Sequence, residues 1–195
     1  MCSAMALAQE AGTIISLDGG AQRYDEEMKS ITESSHIAIV ARDYAEKYTG
    51  TTNLEEACHI IHDRGALIAG VTDGANGSYF VWPDGTFYRC QAFPQEYVVD
   101  TTGAGDSFHG AFLSKLVTLL RELAPVEGLK TSTYAIDLLQ HCGHSDLEKT
   151  AIFASAVAAL NTQGIGGRSA LPSLHVVNKL SLIHISEPTR LQLIS

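Results

Sequence analysis

Short apolar runs bounded by glycine alternate with longer amphipathic stretches through the first part of the chain. MCSAMALAQEAG reads as a short helix ending at Gly12. TIISLD, which follows it, has the pattern of a buried parallel strand ending at Asp18, and strand ends of this kind face binding crevices. YDEEMKSI predicts a helix and HIAIV a second strand. TNLEEACHIIHDRG predicts a helix capped by Thr52 or Asn53 and stopped by Gly65, and ALIAGVTDG a third buried strand. Strands alternating with helices of this length predict an α/β fold: a parallel sheet covered on both faces.

The rhythm then changes. GSYFVWPDGTFYRCQAF reads as two β runs joined by the turn residues PDG, an antiparallel hairpin. Two long helical patterns follow, from about residue 104 to 123 and from about 146 to 161. The polar segment between them, APVEGLKTSTYAIDLLQHCGHS, carries no clear pattern. A natural domain end falls near Leu180. The tail SLIHISEPTRLQLIS, residues 181–195, continues no earlier pattern and resembles read-through of non-coding or adapter nucleotides, so it is set apart as non-native or disordered. No internal repeat is visible.

Composition narrows the function classes. At 195 residues, 45% hydrophobic and 18% charged, the chain is one ordinary domain or part of a larger protein. Its 13 Lys and Arg against 22 Asp and Glu give a net charge of −9, which disfavours a broad nucleic-acid or anionic-membrane surface but leaves room for a local anion pocket. Cys2, Cys58, Cys90 and Cys142 form no CxxC pair, so neither a disulfide framework nor a zinc knuckle is signalled. No apolar run approaches the roughly 18 residues of a membrane span, and the start lacks a secretory pattern. A reducing cytoplasm is the expected setting.

The densest chemistry lies in VVDTTGAGDSFHGAF, residues 98–112. YVVD supplies a strand-like entry, TTGAG a glycine loop, and a helix begins at about Ala104 or Gly105. The loop therefore lies over a helix N-terminus, where unpaired N–H groups and the positive end of the dipole favour a phosphate or a developing oxyanion. Asp106 stands in the first turn. A carboxylate in an anion site makes sense as a base that takes the proton of an attacking alcohol while the adjacent N–H groups stabilise the group under attack. On GxGD alone, the plainer reading is that Asp106 caps the helix and the glycines make the turn. A Walker A loop is excluded because no Lys follows. The dinucleotide fingerprint is excluded because Gly103, Gly105 and Gly110 have the wrong spacing.

DTTGAGDSFHGAF resembles the C-terminal signature of the ribokinase-like, or PfkB, carbohydrate kinases, close to D-T-x-G-A-G-D-x-F. ISLDGGAQR, YTGTTNLEEA, GVTDGANGSYF and FASAVAALNTQGIGGRSALP occur in the family's order, so the resemblance covers about residues 5 to 180. DGTFYRCQAFPQEYVVDTTGAGD is similar to the ketohexokinase-like branch. The resemblance implies a ribokinase-like three-layer fold and ATP-dependent phosphorylation of a sugar hydroxyl. Asp106 would be the catalytic base, with Thr102, Gly103, Ala104 and Gly105 as the anion hole. Thr72, Gly74 and Gly77 would match the nucleotide-side loop, and the stretch holding Asn161 and Gly164 the adenine and ribose edge. A monovalent cation, K+, would sit behind the anion hole at Asp100 and Thr102, with the loop to Ser169 completing its site.

Two departures qualify that expectation. Many members carry an N-x-x-E motif after the second of these strands, tied to magnesium (Mg2+) and phosphate handling. Ala41 and Tyr44 stand here instead, with Asp43 as the carboxylate that would assist. The family's early strands, its lid and most sugar contacts have no counterpart in the sequence, so the chain reads as the C-terminal part of a longer kinase. It would hold the ATP side and the base, and its partner would be a small-molecule sugar. A homodimer of the full-length protein would form through the lid. A ketose such as fructose leads on branch resemblance, with a nucleoside such as adenosine as the alternative. The competing class is an inactive nucleotide-binding fragment. Other residues carry bland readings: Cys58, His59, His62, His141, Cys142 and His144 as surface and loop residues, Trp82 and Tyr88 as packing, and His109, one helical turn beyond Asp106 and within reach of the site, as packing or solvent-facing.

Overall fold

The computed structural model describes residues 3–124 and 132–186. Five strands form one sheet in the order β1 (Ser16–Gly19), β2 (Ile37–Ala41), β3 (Ile68–Thr72), β4 (Ser78–Val81) and β5 (Phe87–Cys90). The first three are parallel, with Leu17 opposite Ala38 and Ala38 opposite Ala69. The last two run antiparallel, so the sheet is mixed rather than wholly parallel. The connection from β3 to β4 explains this. It is a single 3-10 turn, Gly74–Asn76, far too short for the crossover a parallel neighbour needs. The expected hairpin is therefore the far edge of the main sheet. Its turn is closed by Trp82 N–H to Thr86 O at 2.9 Å, and Asp84 Oδ1 accepts the Thr86 N–H at 3.0 Å.

Strand residues alternate between two apolar layers, which is the sheet's period of two with both faces covered. Ile37, Ile39, Ile68 and Phe80 face one layer with α5 (Ala104–Leu123) and α7 (His144–Asn161). Phe80 stacks there between Trp82 at 4.8 Å and Phe112 at 5.5 Å. Burying each such ring contributes about 1.5–3 kcal/mol. Ala38, Val40, Ala69, Val71 and Val81 face the other layer, with α3 (Arg42–Thr49) and α4 (Leu54–Asp63). Asn53 is the residue that caps α4, its Oδ1 accepting from Glu55 and Glu56 N–H.

Short α1 (Ser3–Glu10) and α2 (Glu26–Glu33) flank β1 in sequence. Part of the patternless polar segment forms α6 (Ser132–Gln140), whose Leu139 joins the α5–α7 core. The expected domain end at Leu180 falls inside α8 (Leu174–Ser186), and residues 187–195 of the expected tail lie outside the described residues. Among the described residues no helix is long and apolar enough to cross a membrane.

Candidate active site

The C-terminal ends of the parallel strands lie side by side, Ala41 opposite Thr72 and Gly19 opposite Val40, and a cleft of about 940 Å³ opens there. Crevices at this edge of a parallel sheet are where α/β folds bind ligands. Asp18, Gly20 and Arg23 line it from the end of β1. Thr72, Gly74 and Gly77 line it from the end of β3, and Ala104, Gly105, Asp106 and His109 from the start of α5. Residues from three distant parts of the sequence, including the expected base and the expected nucleotide-side loop, thus share one cavity.

The α5 terminus has a defined set of free donors. Gly103 is its N-cap in the left-handed region, φ 74°, and makes no side-chain cap. A Cβ on Gly103 would lie 2.5 Å from the Cα of Gly167, so glycine is required where two backbone segments cross. Ala104 N–H donates to Thr101 O and Ser107 N–H to Gly103 O. Thr102 N–H donates to Asp100 Oδ1 at 2.8 Å. Of the expected anion-hole residues, Thr102 and Ala104 therefore have their amides occupied. Among the described residues the N–H groups of Gly103, Gly105 and Asp106 find no acceptor. A Cβ on Gly105 would meet nothing within 4 Å, so the protein leaves space on the helix's first turn.

The segment expected to hold a monovalent cation is drawn together by backbone bonds. Val99 and Asp100 N–H both reach Thr162 O, and Gly166 N–H donates to Asp100 Oδ2 at 2.8 Å. With both oxygens bonded to N–H groups, Thr102 first, the Asp100 carboxyl is held below its usual range. Ser169 Oγ donates to Ile165 O in the same loop. Asn161 and Gly164 do not line the cleft. Asn161 is fully buried and its Nδ2 donates to Gly167 O at 3.2 Å, while a Cβ on Gly164 would strike that of Ala170 at 2.7 Å. Thr162 is the residue of this stretch on the cleft wall. Gly77 lines the cleft, but its lack of a side chain is accounted for by the carbonyl of Cys90, 2.2 Å from where a Cβ would stand.

Asp18, which the sequence put at a crevice-facing strand end, lines the cleft, and so does His109, which does more than pack or face solvent. His109 is one helical turn beyond Asp106, and its Nε2 lies 3.0 Å from Ser16 Oγ. Burial lowers the pKa of His109, against the opposing charges of Asp18 and Asp106. Burial raises that of Asp18. His109 opposes this shift, the Asp106 charge adds to it, and Arg23 opposes it. The spacing of three from Asp106 was the available signal for His109.

The N-x-x-E positions are not a metal site. Tyr44 is fully buried and its Oη lies 2.6 Å from Thr32 Oγ1. Asp43 Oδ2 accepts the N–H of Gln22 at 2.7 Å. Among the described residues no three His, Cys, Asp or Glu side chains converge as metal ligands. Cys58 is buried, with its Sγ donating to Tyr79 O and its thiol pushed up to about 12 by burial. His141 Nδ1 meets the backbone oxygen of Asp137, and His144 pairs with Asp84 of the hairpin turn.

The chain is similar to fructokinase-2 of Solanum lycopersicum, 33% identical over 124 residues, which is 58% of this chain and 37% of that protein. It is also similar to a cytidine kinase of Thermococcus kodakarensis, 38% identical over 89 residues, 45% of this chain and 31% of that one. A fructokinase double mutant from Vibrio cholerae, solved in its fructose-, ADP- and potassium-ion-bound form, shares the fold with a TM-score of 0.68 and 21% identity, over 91% of this chain and 53% of that one. This chain thus spans about a third of the two sequence relatives and about half of the solved chain. The pattern of the pfkB family carbohydrate kinases matches residues 1–174, and the chain belongs to that family.

Proposed function

We propose that this chain is the nucleotide side and catalytic base of a kinase that moves the γ-phosphoryl group of ATP to a sugar hydroxyl. The observation that carries this reading is that Asp106 and the unpartnered first-turn amides of α5 open onto the same cleft as the loop after β3. Asp106 takes the proton of the attacking hydroxyl, whose oxygen bonds to phosphorus as the bond to the departing ADP oxygen breaks. The N–H groups of Gly103, Gly105 and Asp106 bear the charge on the transferring group. Thr72 and Gly74 border the polyphosphate side, and Thr162 rather than Asn161 borders the nucleoside side.

Magnesium enters this reading only as the counter-ion of ATP, since buried Tyr44 and the engaged Asp43 do not fit an ion-handling motif. A potassium ion, when bound, would supply positive charge behind the anion hole. Asp100, Thr102 and the Ser169 loop, already bonded to one another, are the residues that would hold it. Residues 1–180 form the C-terminal part of the kinase domain, with the sugar contacts and any lid-mediated homodimer belonging to the rest of the protein. A ketose such as fructose is the favoured acceptor, supported by the fructokinases among the relatives. The cytidine kinase keeps a nucleoside as the second candidate.

The test is sugar-dependent ADP release by the full-length protein with ketoses and nucleosides as acceptors. Asp106→Asn is expected to lower turnover about 10² to 10⁴-fold while nucleotide still binds. An active Asn variant sinks the assignment. Nucleotide binding without turnover toward any acceptor returns the inactive-fragment reading.

A further inference from the structure

We infer that Arg23 is a phosphate-binding residue of the cleft and that Asp43 is the positioning residue that presents it. The inference rests on the kinase reading above and adds to it a cation that the family signature does not supply here.

A polyphosphate in this cleft needs a cation. The cleft wall carries two carboxylates, Asp18 and Asp106, and a polyphosphate brought among them meets like charges at close range. The amides of α5 provide partial positive charge on one side only. The positions from which the N-x-x-E motif would organise a counter-ion are Ala41 and the buried Tyr44. The guanidinium on the wall is that of Arg23, which is exposed and whose charge is felt by Asp18. Of the other arginines, Arg42 is committed to Glu46 and Asp73, Arg64 to Tyr48 O and Arg89 over the Tyr79 ring, while Arg121 and Arg168 do not line the cleft. Arg23 makes no such bond among the described residues. A free guanidinium is suited to bidentate contact with phosphate oxygens.

The backbone that carries Arg23 is held in an uncommon conformation. Gln22, next to Arg23, has φ 61°, the one non-glycine positive φ among the described residues. An L side chain enters that region only where the surroundings hold it there. The hold is visible: Gln22 N–H donates to Asp43 Oδ2 at 2.7 Å, and Arg23 N–H closes the turn on Gly20 O at 3.3 Å. A Cβ on Gly20 would sit 3.2 Å from Arg23 Nε, so the side chain folds across the end of β1 on the cleft side. Asp43, at the start of α3, therefore latches the turn that delivers the guanidinium.

The experiment compares binding of ATP with magnesium chloride and of AMP, by calorimetry, in the full-length protein. Arg23→Met is expected to weaken ATP by about 10- to 100-fold, the loss of a hydrogen bond between charged groups, and to leave AMP unchanged. Arg23→Lys should recover part of the loss. Asp43→Ala should weaken ATP in the same selective way, and adding Gln22→Gly, which takes the left-handed conformation without a latch, should restore it. Unchanged ATP affinity in Arg23→Met, or equal losses for ATP and AMP, overturns the inference and leaves the kinase reading intact. Failure of the wild-type protein to bind either nucleotide overturns the kinase reading and the inference with it.

Discussion

The imidazole of His109 and the hydroxyl of Ser16 meet at 3.0 Å across 93 positions of sequence, tying the start of β1 to α5 one turn beyond Asp106. The other ring nitrogen, Nδ1, is buried without a partner among the described residues. Ser16→Ala leaves both nitrogens unsatisfied, a cost of about 1–3 kcal/mol. The expected result is a fall in Tm of about 2–10 °C for a domain of this size, read by thermal unfolding. No change in Tm would mean that the bond is not formed in solution.

The same cluster sets an acid limit on stability. Burial lowers the pKa of His109, so below about pH 6.5 the unfolded chain takes up its proton before the folded one does. Stability from this group is full above that pH and is lost as pH falls. Asp18 has the opposite sign: burial and Asp106 raise its pKa, against His109 and Arg23, so its contribution is full at low pH and is lost as pH rises through its folded value. In Tm measured against pH, His109→Gln should flatten the decline below about pH 6.5, and Asp18→Asn should remove the loss on the side above about pH 4. An unaltered acid limb in His109→Gln counts against the assignment.

Local patterns made the strands, the hairpin and α5 legible because each is dictated by its own residues: apolar runs for the buried strands, PDG for the turn, a glycine loop for the helix start. The α3 helix carries no such signal. RDYAEKYT is mostly polar, and its Tyr44, Ala45 and Tyr48 declare a buried face only once the sheet is there to meet it. The mixed sheet was implicit in the short TDGANG link, whose length decides strand direction. Asp106 was legible as a residue in an anion site, with His109 one turn along the same helix, whereas its grouping with Asp18 and Arg23 was not. That grouping depends on β1 lying beside α5, a pairing across the length of the domain that no local spacing encodes.

Asp100 joins two loops through opposite oxygens of one carboxylate, to Thr102 N–H and to Gly166 N–H. Asp100→Ala frees both amides at once. Hydrogen exchange at Thr102 and Gly166 should speed up while the interior of α5 stays protected. Because the hydrogen bonds hold this carboxyl below its usual range, the clamp is present above the ordinary carboxylate pKa and is lost as pH falls through the lowered one. In the wild-type protein those two amides should therefore lose relative protection only in strong acid. Equal exchange in both proteins would show that the loops are held by other contacts.

Gly103 and Gly105 stand two residues apart in one motif and are glycines for different reasons. Gly103 has φ 74° and a backbone neighbour, Gly167, where a Cβ would go, so the fold itself demands it. Gly103→Ala should cost at least about 1–2 kcal/mol for the left-handed conformation, and Tm should fall by about 2–8 °C. Gly105 lies in the first turn of α5 with nothing within 4 Å of a would-be Cβ, so folding makes no comparable demand. Gly105→Ala removes a helical glycine, and Tm should hold or rise by the equivalent of about 0.5–1 kcal/mol. The space beside it is cleft, and if a phosphate occupies that space, Gly105→Val should abolish most sugar-dependent ADP release in a protein that melts normally. Full activity in Gly105→Val would place the transferring group away from the α5 terminus, since a branched side chain cannot share that volume with it.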